Sequence, residues 1–325
     1  MLPHSFRTEI QKQKAEISIS HRDKIMLIGS CFAENIGEKL IKYKFFADVN
    51  PFGILFNPMS IAQSLNILTD SSLFRDSDLH FHNDEWISFL HHGKFSHPDK
   101  TQCLKTINEK LVESRIFLHN ANFLILTFGS TIAYLYKGNI VANCHKIPQK
   151  EFEKQMFNVQ DVVSNLQKSI EKVKDINKNI RLIFTISPVR YIKNDMTENA
   201  LSKAQLIVSM HELIRYFPNS YYFPAFEIMI DDLRDYRFYN EDMIHPSPLA
   251  IDYIWENFSS TFFDSKTIKL NALIDEVVAA KNHRLKNPFS NKSQRFKENQ
   301  LKKIQQIQTD FPQINFEAES RCFSE

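Results

Sequence analysis

The sequence predicts a three-layer α/β/α fold: a doubly wound, mostly parallel sheet of about five strands between helices, with a C-terminal helical extension. Two observations carry this. Short apolar runs alternate with segments of helical periodicity along most of the chain. The clearest runs also stop at a glycine or a proline, as buried parallel strands do at a sheet edge.

The first run, KIMLIGSCF from Lys24, stops at Gly29, and AENIGEKLIKYKF follows with Ile36, Leu40 and Ile41 spaced as a helix face. Phe45 to Val49 reads as a second strand ending in the loop NPFGILFNP, and SIAQSLNIL as a helix capped by Ser60. Residues 70 to 100 are rich in Asp, His and Phe and read as a long irregular insertion. TQCLKTINEKLVESRIFLHNA places Leu104, Ile107, Leu111 and Ile116 at helical spacing, and ANFLILTFGST is a buried strand ending at Gly129. Next come the helix VQDVVSNLQKSIEKVKDIN, the strand NIRLIFTISPVR cut by Pro188, the helix KAQLIVSMHELIRYF and the strand-type run SYYFPAFEIM. PLAIDYIWENFSSTFF opens with Pro248 in its first turn. After residue 265 the character changes. TIKLNALIDEVVAAKNHRL is one more helix, and residues 291–325 are polar and basic. The expected division is a catalytic domain over 1–265 and a helical, partly loose extension over 266–325.

Composition narrows the function. Lys and Arg number 40 against 38 Asp and Glu, a net charge of +2, which gives no drive towards nucleic acid or anionic membrane. The beginning MLPHSFRTEIQKQKAEISIS has no apolar h-region, and no run of roughly 18 apolar residues occurs, so neither a signal peptide nor a membrane span is expected. Cys31, Cys103, Cys144 and Cys322 lie far apart without a CxxC spacing, which fits reduced thiols in a cytoplasmic protein. The oligomeric state is left open.

In doubly wound sheets ligands bind at the carboxyl ends of the strands, so the strand ends are where chemistry is expected. IGSCFAENIG puts a hydroxyl and a thiol at a strand-to-helix turn, where the helix N-terminus can lower a thiol pKa. The bland alternative makes Ser30 a helix cap and Cys31 a small core residue. NEDMIHPSPLA places Asp242 three residues before His245, just ahead of the last predicted helix of the sheet region. There a carboxylate can orient an imidazole while the imidazole takes a proton from a nucleophile. Arg190, after the strand cut by Pro188, can clamp an anionic substrate group or sit in a surface ion pair. His80, His82, His91, His92 and His97 match no zinc spacing and read as a histidine-rich pocket lining, so no metal and no cofactor are expected. Cys144 and His145 are adjacent, and adjacent side chains on an extended chain diverge, so they do not form a dyad with each other.

GSCFA, from Gly29 to Ala33, matches the string for which the GSCFA family is named, and the nucleophile-first, Asp-His-last order resembles the SGNH (GDSL-like) hydrolases. The resemblance extends through NPFGILFNP, HHGKFS, LTFGST, ANCHK, SPVR and LRDYRFY…EDMIHPS, covering roughly residues 20 to 260. It implies a flavodoxin-like sheet and an acyl-ester hydrolase or acyltransferase, acting on a small-molecule or carbohydrate ester. It implies Cys31 as nucleophile in the ungapped register, or Ser30 if the register slides by one, with His245 as base and Asp242 orienting it. Gly53 and Gly129 resemble the oxyanion-binding glycines, and Thr131 stands where the superfamily has asparagine. Thr131, Asn143 or Asn57 would then supply the missing donor, with His92 and Arg190 lining the substrate site. Two rival readings are a non-catalytic binding module on the same fold and a metal-dependent hydrolase using the histidine-rich insertion.

Overall fold

The computed structural model describes residues 8–11, 14–192, 195–283, 287 and 290–324. Its strands are β1 (Lys24–Gly29), β2 (Phe46–Val49), the hairpin β3 (His80–His82) and β4 (Glu85–Ile87), β5 (Phe123–Phe128), a small sheet of β6 (Ile132–Tyr136), β7 (Asn139–Val141) and β8 (Phe152–Met156), then β9 (Arg181–Ile186) and β10 (Ser220–Phe223). The main helices are α1 (Cys31–Lys42), α2 (Pro58–Thr69), α3 (Lys100–His119), α4 (Val159–Ile176), α5 (Met196–Tyr216), the short α6 (Ala225–Glu227), α7 (Pro248–Phe262), α8 (Ser265–Asn282), α9 (Asn291–Asp310) and α10 (Glu317–Ser324).

The central sheet has five strands in the order β2-β1-β5-β9-β10, all parallel. The apolar runs are continuous because both faces are covered. Ile25, Leu27, Ile125 and Ile183 pack with Phe32, Ile36 and Leu40 of α1 and with Ile254 and Phe258 of α7. Met26, Ile28, Leu124, Leu126 and Phe184 point the other way, against α2, α4 and α5. The sheet is therefore doubly wound in the flavodoxin-like order. Its direction of winding reverses between β1 and β5, which opens a crevice at their carboxyl ends.

Several local expectations change. α2 is capped by Asn57, whose Oδ1 accepts from Ser60 N–H at 2.8 Å, rather than by Ser60. Ile41 and Ile116 are exposed. Residues 70–100 hold the β3–β4 hairpin, and β6 to β8 form an antiparallel excursion that the apolar pattern did not signal. Lys137 and Gly138 turn that excursion with positive φ at both residues (49° and 79°), as a tight two-residue hairpin turn needs. Among the described residues no helix is long and apolar enough to cross a membrane.

The C-terminal extension builds a core of its own on α8. Ile304, Ile307, Ile314, Phe316 and Phe323 are buried with Leu270, Ile274 and Val277 of α8, and Tyr43 packs on the same cluster. Lys44 Nζ donates to both oxygens of the buried Glu319 carboxylate at 2.9 Å, tying α10 to the turn after α1. The apolar residues are few and spread among polar ones, which hid this second core. Phe316→Ala is expected to lower stability by about 3–5 kcal/mol, the cost of emptying a buried aromatic site. Urea unfolding checks this, and a change below about 1 kcal/mol would show that the extension adds little to the fold.

Candidate active site at the carboxyl edge of the sheet

β1 ends where the chain must turn sharply beside β5. A methyl group on Gly29 would lie 2.3 Å from Thr127 O, so only glycine allows this approach. Gly29 N–H donates to Asn50 Oδ1 at 2.8 Å, and its carbonyl accepts from Leu55 N–H at 2.9 Å. Ser30 is the N-cap of α1. It is fully buried, and its Oγ accepts from Phe32 N–H at 3.3 Å. Cys31 is the first helical residue and is half-buried. Burial, then the negative charge of Glu34, push the Cys31 thiol above its ordinary pKa. The N–H groups of Phe32 and Cys31 and the charge of Lys203 pull it down by less. The helix N-terminus alone therefore does not give the lowered thiol pKa that the sequence suggested.

Most of the expected oxyanion donors are occupied. Gly53 has φ +80°, with His92 Cβ where its own Cβ would be, and its N–H donates to Asn50 O at 2.7 Å. His92 thus lies against the Gly53 loop, its N–H donating to Phe52 O and its Nδ1 accepting from Lys94 N–H. The N–H groups of Gly129 and Ser130 both donate to Phe56 O, at 2.7 and 3.1 Å. Thr131 is fully buried; its N–H donates to Ser202 Oγ at 2.7 Å and its hydroxyl to Gln205 Oε1 at 2.9 Å. Asn57 is committed at both ends to Ser60, and Asn143 Oδ1 accepts from His145 N–H at 2.8 Å. These groups build the loops around the crevice instead of facing into it. Asn50, which the sequence reading left out, is different. Its Oδ1 holds Gly29, and its Nδ2 is buried with no hydrogen-bond partner among the described residues.

The Asp242–His245 pair is formed. Asp242 Oδ2 accepts from His245 Nδ1 at 2.6 Å, and Oδ1 accepts from the N–H groups of Ile244 (2.8 Å) and His245 (3.0 Å). Asn240 N–H closes the loop on His245 O at 2.8 Å, and Ser247 caps α7 directly after it. Arg190 fixes this loop to the end of β9. Its N–H donates to Ile244 O and its Nη1 to Met243 O, both at 3.1 Å, and its guanidinium lies over the Tyr236 and Tyr239 rings. Arg190 thus tethers this loop, and no ion pair among the described residues includes it. Hydrogen bonds from the His245 N–H, the imidazole and the Ile244 N–H hold the Asp242 carboxyl down at about 2.

The remaining candidates sort by position. A cavity of about 390 Å³ is lined by Phe56, Ser130, Tyr134, Cys144, Phe152 and Tyr191. The Tyr191 ring lies against Gly129, and its phenol is pushed far up by burial and then by the neighbouring Cys31. His145 turns away and donates from Nε2 to Ser88 O at 2.8 Å. A larger cleft of about 560 Å³, bounded by Phe74, Arg115 and Tyr136, takes His80 from the histidine-rich insertion but neither Cys31, His245 nor Tyr191. His91 is buried against the Phe52 and Phe74 rings. Among the described residues no three His, Cys, Asp or Glu side chains converge on a metal position. Lys203 was missed. It is 2% exposed, and its Nζ donates to Ser187 O at 2.6 Å at the end of β9. The sequence did hold a signal, because Lys203 is on the same helical stripe as Leu206, Met210 and Leu213.

The fold and site define a doubly wound α/β protein with a thiol-bearing turn and an Asp-His pair at one sheet edge. The chain belongs to the GSCFA family, whose sequence profile matches residues 24–258. A second profile, GSCFA domain protein, C-terminal domain, matches residues 274–325. No curated protein matches the chain. Among solved structures, a Clostridium thermocellum family 3 carbohydrate esterase is similar over 78% of this chain and 98% of its own, at 11% identity and a TM-score of 0.36.

The Asp242 carboxyl lies below its usual 3.8, so its hydrogen bonds favour the folded loop above that value and are lost as the pH falls through about 2. In His245→Ala the Asp242 midpoint, followed by carboxyl-carbon NMR, should climb only partway towards 3.8, because the backbone donors remain. An unchanged midpoint would show that the imidazole does not hold the carboxylate.

Proposed function

We propose that this chain is an SGNH-type enzyme that hydrolyses or transfers an acyl group on an oxygen ester through a covalent acyl-enzyme on Cys31. The observation that carries this reading is the 2.6 Å Asp242–His245 pair, tethered through Arg190 to the end of β9. That end lies at the same sheet edge as the Cys31 turn. The burial of the Ser30 hydroxyl in the cap of α1 supports Cys31 over Ser30 as the nucleophile.

In this mechanism Asp242 fixes the imidazole through Nδ1, leaving Nε2 to take the thiol proton. The thiolate attacks the acyl carbonyl. The developing oxyanion is met by the Cys31 N–H at the start of α1, whose neighbours Ser30, Phe32 and Ala33 have theirs committed, and by Asn50 Nδ2, a buried donor that such an oxygen would satisfy. The alkoxide leaves with the proton from His245, and water or a second alcohol then takes the acyl group from sulfur. The cavity lined by Phe56, Tyr134 and Phe152 suits a small acyl group, and the exposed Tyr236 beside the pair suits a sugar-like alcohol. No cofactor enters any step, and we place the reaction in the cytoplasm.

A binding module is the second reading, favoured by the raised thiol pKa and by the commitment of Gly53, Gly129 and Thr131 to the framework. Turnover of p-nitrophenyl acetate separates the two. Cys31→Ala should abolish it, and His245→Ala should lower it by about 10²–10⁴-fold, as loss of a general base does. Ser30→Ala should keep the rate while losing about 0.5–2 kcal/mol of stability with its cap. Full activity in Cys31→Ala would remove Cys31 as the nucleophile.

A further inference from the structure

The loop after α2 and the turn between β6 and β7 take no part in the proposed reaction, yet with the last turns of α2 they wall the cleft of about 560 Å³. Hydrogen bonds from α3 hold the loop in place. Arg115 Nη2 donates to Ile67 O at 2.9 Å and Ser72 O at 2.6 Å, and Nη1 donates to Ser71 O at 3.3 Å. Asn108, on the same helix, takes the Phe74 N–H on its Oδ1 at 2.9 Å and donates from Nδ2 to Phe74 O at 3.0 Å. On the other wall Ala142 N–H donates to Phe89 O at 2.7 Å, tying the end of β7 to the insertion. The cleft is therefore preformed, and its volume lies within the range of about 300–1,000 Å³ usual for small-molecule sites. Its apolar lining is left partly to water. Ile67, Phe74, Leu90, Tyr136 and Ile140 are half-buried, and Leu73, between two residues whose backbones are pinned, is 49% exposed.

The charges on the lining cancel, and each already has a partner. Arg115 and Lys137 stand against Asp70 and Asp78. The Arg115 guanidinium is engaged with three carbonyls, and Lys137 Nζ lies 5.2 Å from the centre of the Tyr136 ring. Asp70 Oδ1 accepts from the Ser72 N–H and O–H at 3.0 and 3.1 Å, and Asp78 Oδ2 accepts from Arg75 N–H at 2.7 Å. Gln63, Ser77 and Asn139 add neutral hydrogen-bonding groups. We propose that this cleft is a second ligand site, for an uncharged amphipathic molecule with an aromatic body and a hydroxyl or amide head. The aromatic body covers Leu73, Phe74, Tyr136 and Ile140, which takes their exposed apolar surface out of water. The head meets the neutral side chains, whereas an ionised head would be desolvated without a free counter-charge. The site stands apart from the acyl chemistry, because neither Cys31 nor His245 lines it.

The test is a fluorescence titration of the full chain with N-phenylnaphthylamine, an uncharged aromatic probe that brightens in apolar surroundings. Anilinonaphthalene sulfonate, the same ring body with a sulfonate added, is the comparison. The uncharged probe should saturate as a single site, and the sulfonate should bind no more tightly. Ser77→Trp fills the cleft from an exposed position, and Leu73→Asp sets a carboxylate on its apolar wall. Each should weaken the uncharged probe by about tenfold or more. Both positions are exposed, so the melting temperature should hold, and if Ser77→Trp does not fold, Leu73→Asp decides. Gln149→Trp, on the wall of the smaller cavity, should leave the probe's affinity unchanged. No saturable binding to wild type, or full affinity in a folded Leu73→Asp, overturns the proposal. Loss of binding in Gln149→Trp instead places the probe in the smaller cavity and also overturns it. Tighter binding of the sulfonate overturns the uncharged class.

Discussion

The crevice between β1 and β5 governs everything at this edge of the molecule. The two strands are parallel neighbours, and the backbone of Gly29 approaches Thr127 too closely for any side chain. From that point α1 leaves on one face of the sheet, while α2, α4 and α5 cover the other. The loop of residues 50–57 then bridges the gap. It receives the Gly29 N–H on Asn50 and the Gly129 and Ser130 N–H groups on Phe56 O, and it donates Leu55 N–H back to Gly29 O. A substitution that separated these strands would dismantle the turn at Cys31 and the walls of the neighbouring cavity together.

That constraint explains what the sequence could reveal. Runs such as KIMLIG and FLILTF declare buried strands through composition alone, since parallel strands covered on both faces need no alternation. Asp242 and His245 were legible because their pairing is local, three residues apart and closed by backbone hydrogen bonds within one loop. The oxyanion donors were not legible in this way. Whether the N–H of Gly53 or Gly129 is free depends on a carbonyl brought in by tertiary structure, Asn50 O in one case and Phe56 O in the other. The partners of Thr131 were hidden for the same reason, because Ser202 and Gln205 arrive from α5, about seventy residues later in the chain. The core of the C-terminal extension was not legible either. Its apolar residues are too sparse to announce a core, yet Ile304, Ile307 and Phe316 find α8 waiting for them.

The site separates its charges by solvent. Asp242 and His245 face water, and their hydrogen bonds are local, which keeps the pair oriented without burial. Cys31 is half-buried and Lys203 fully buried, and burial disfavours the charged form of each.

The central claim is that an acyl group is held on the sulfur of Cys31. The most direct measurement is peptide mass mapping of wild-type protein acid-quenched during reaction with an activated acetate ester. The account predicts one acetyl group on the Cys31 peptide, removed by hydroxylamine as a thioester is, and absent from His245→Ala quenched at the same time. Acetyl on Ser30, or no label on residues 29–31 in an enzyme that does turn the ester over, would contradict it.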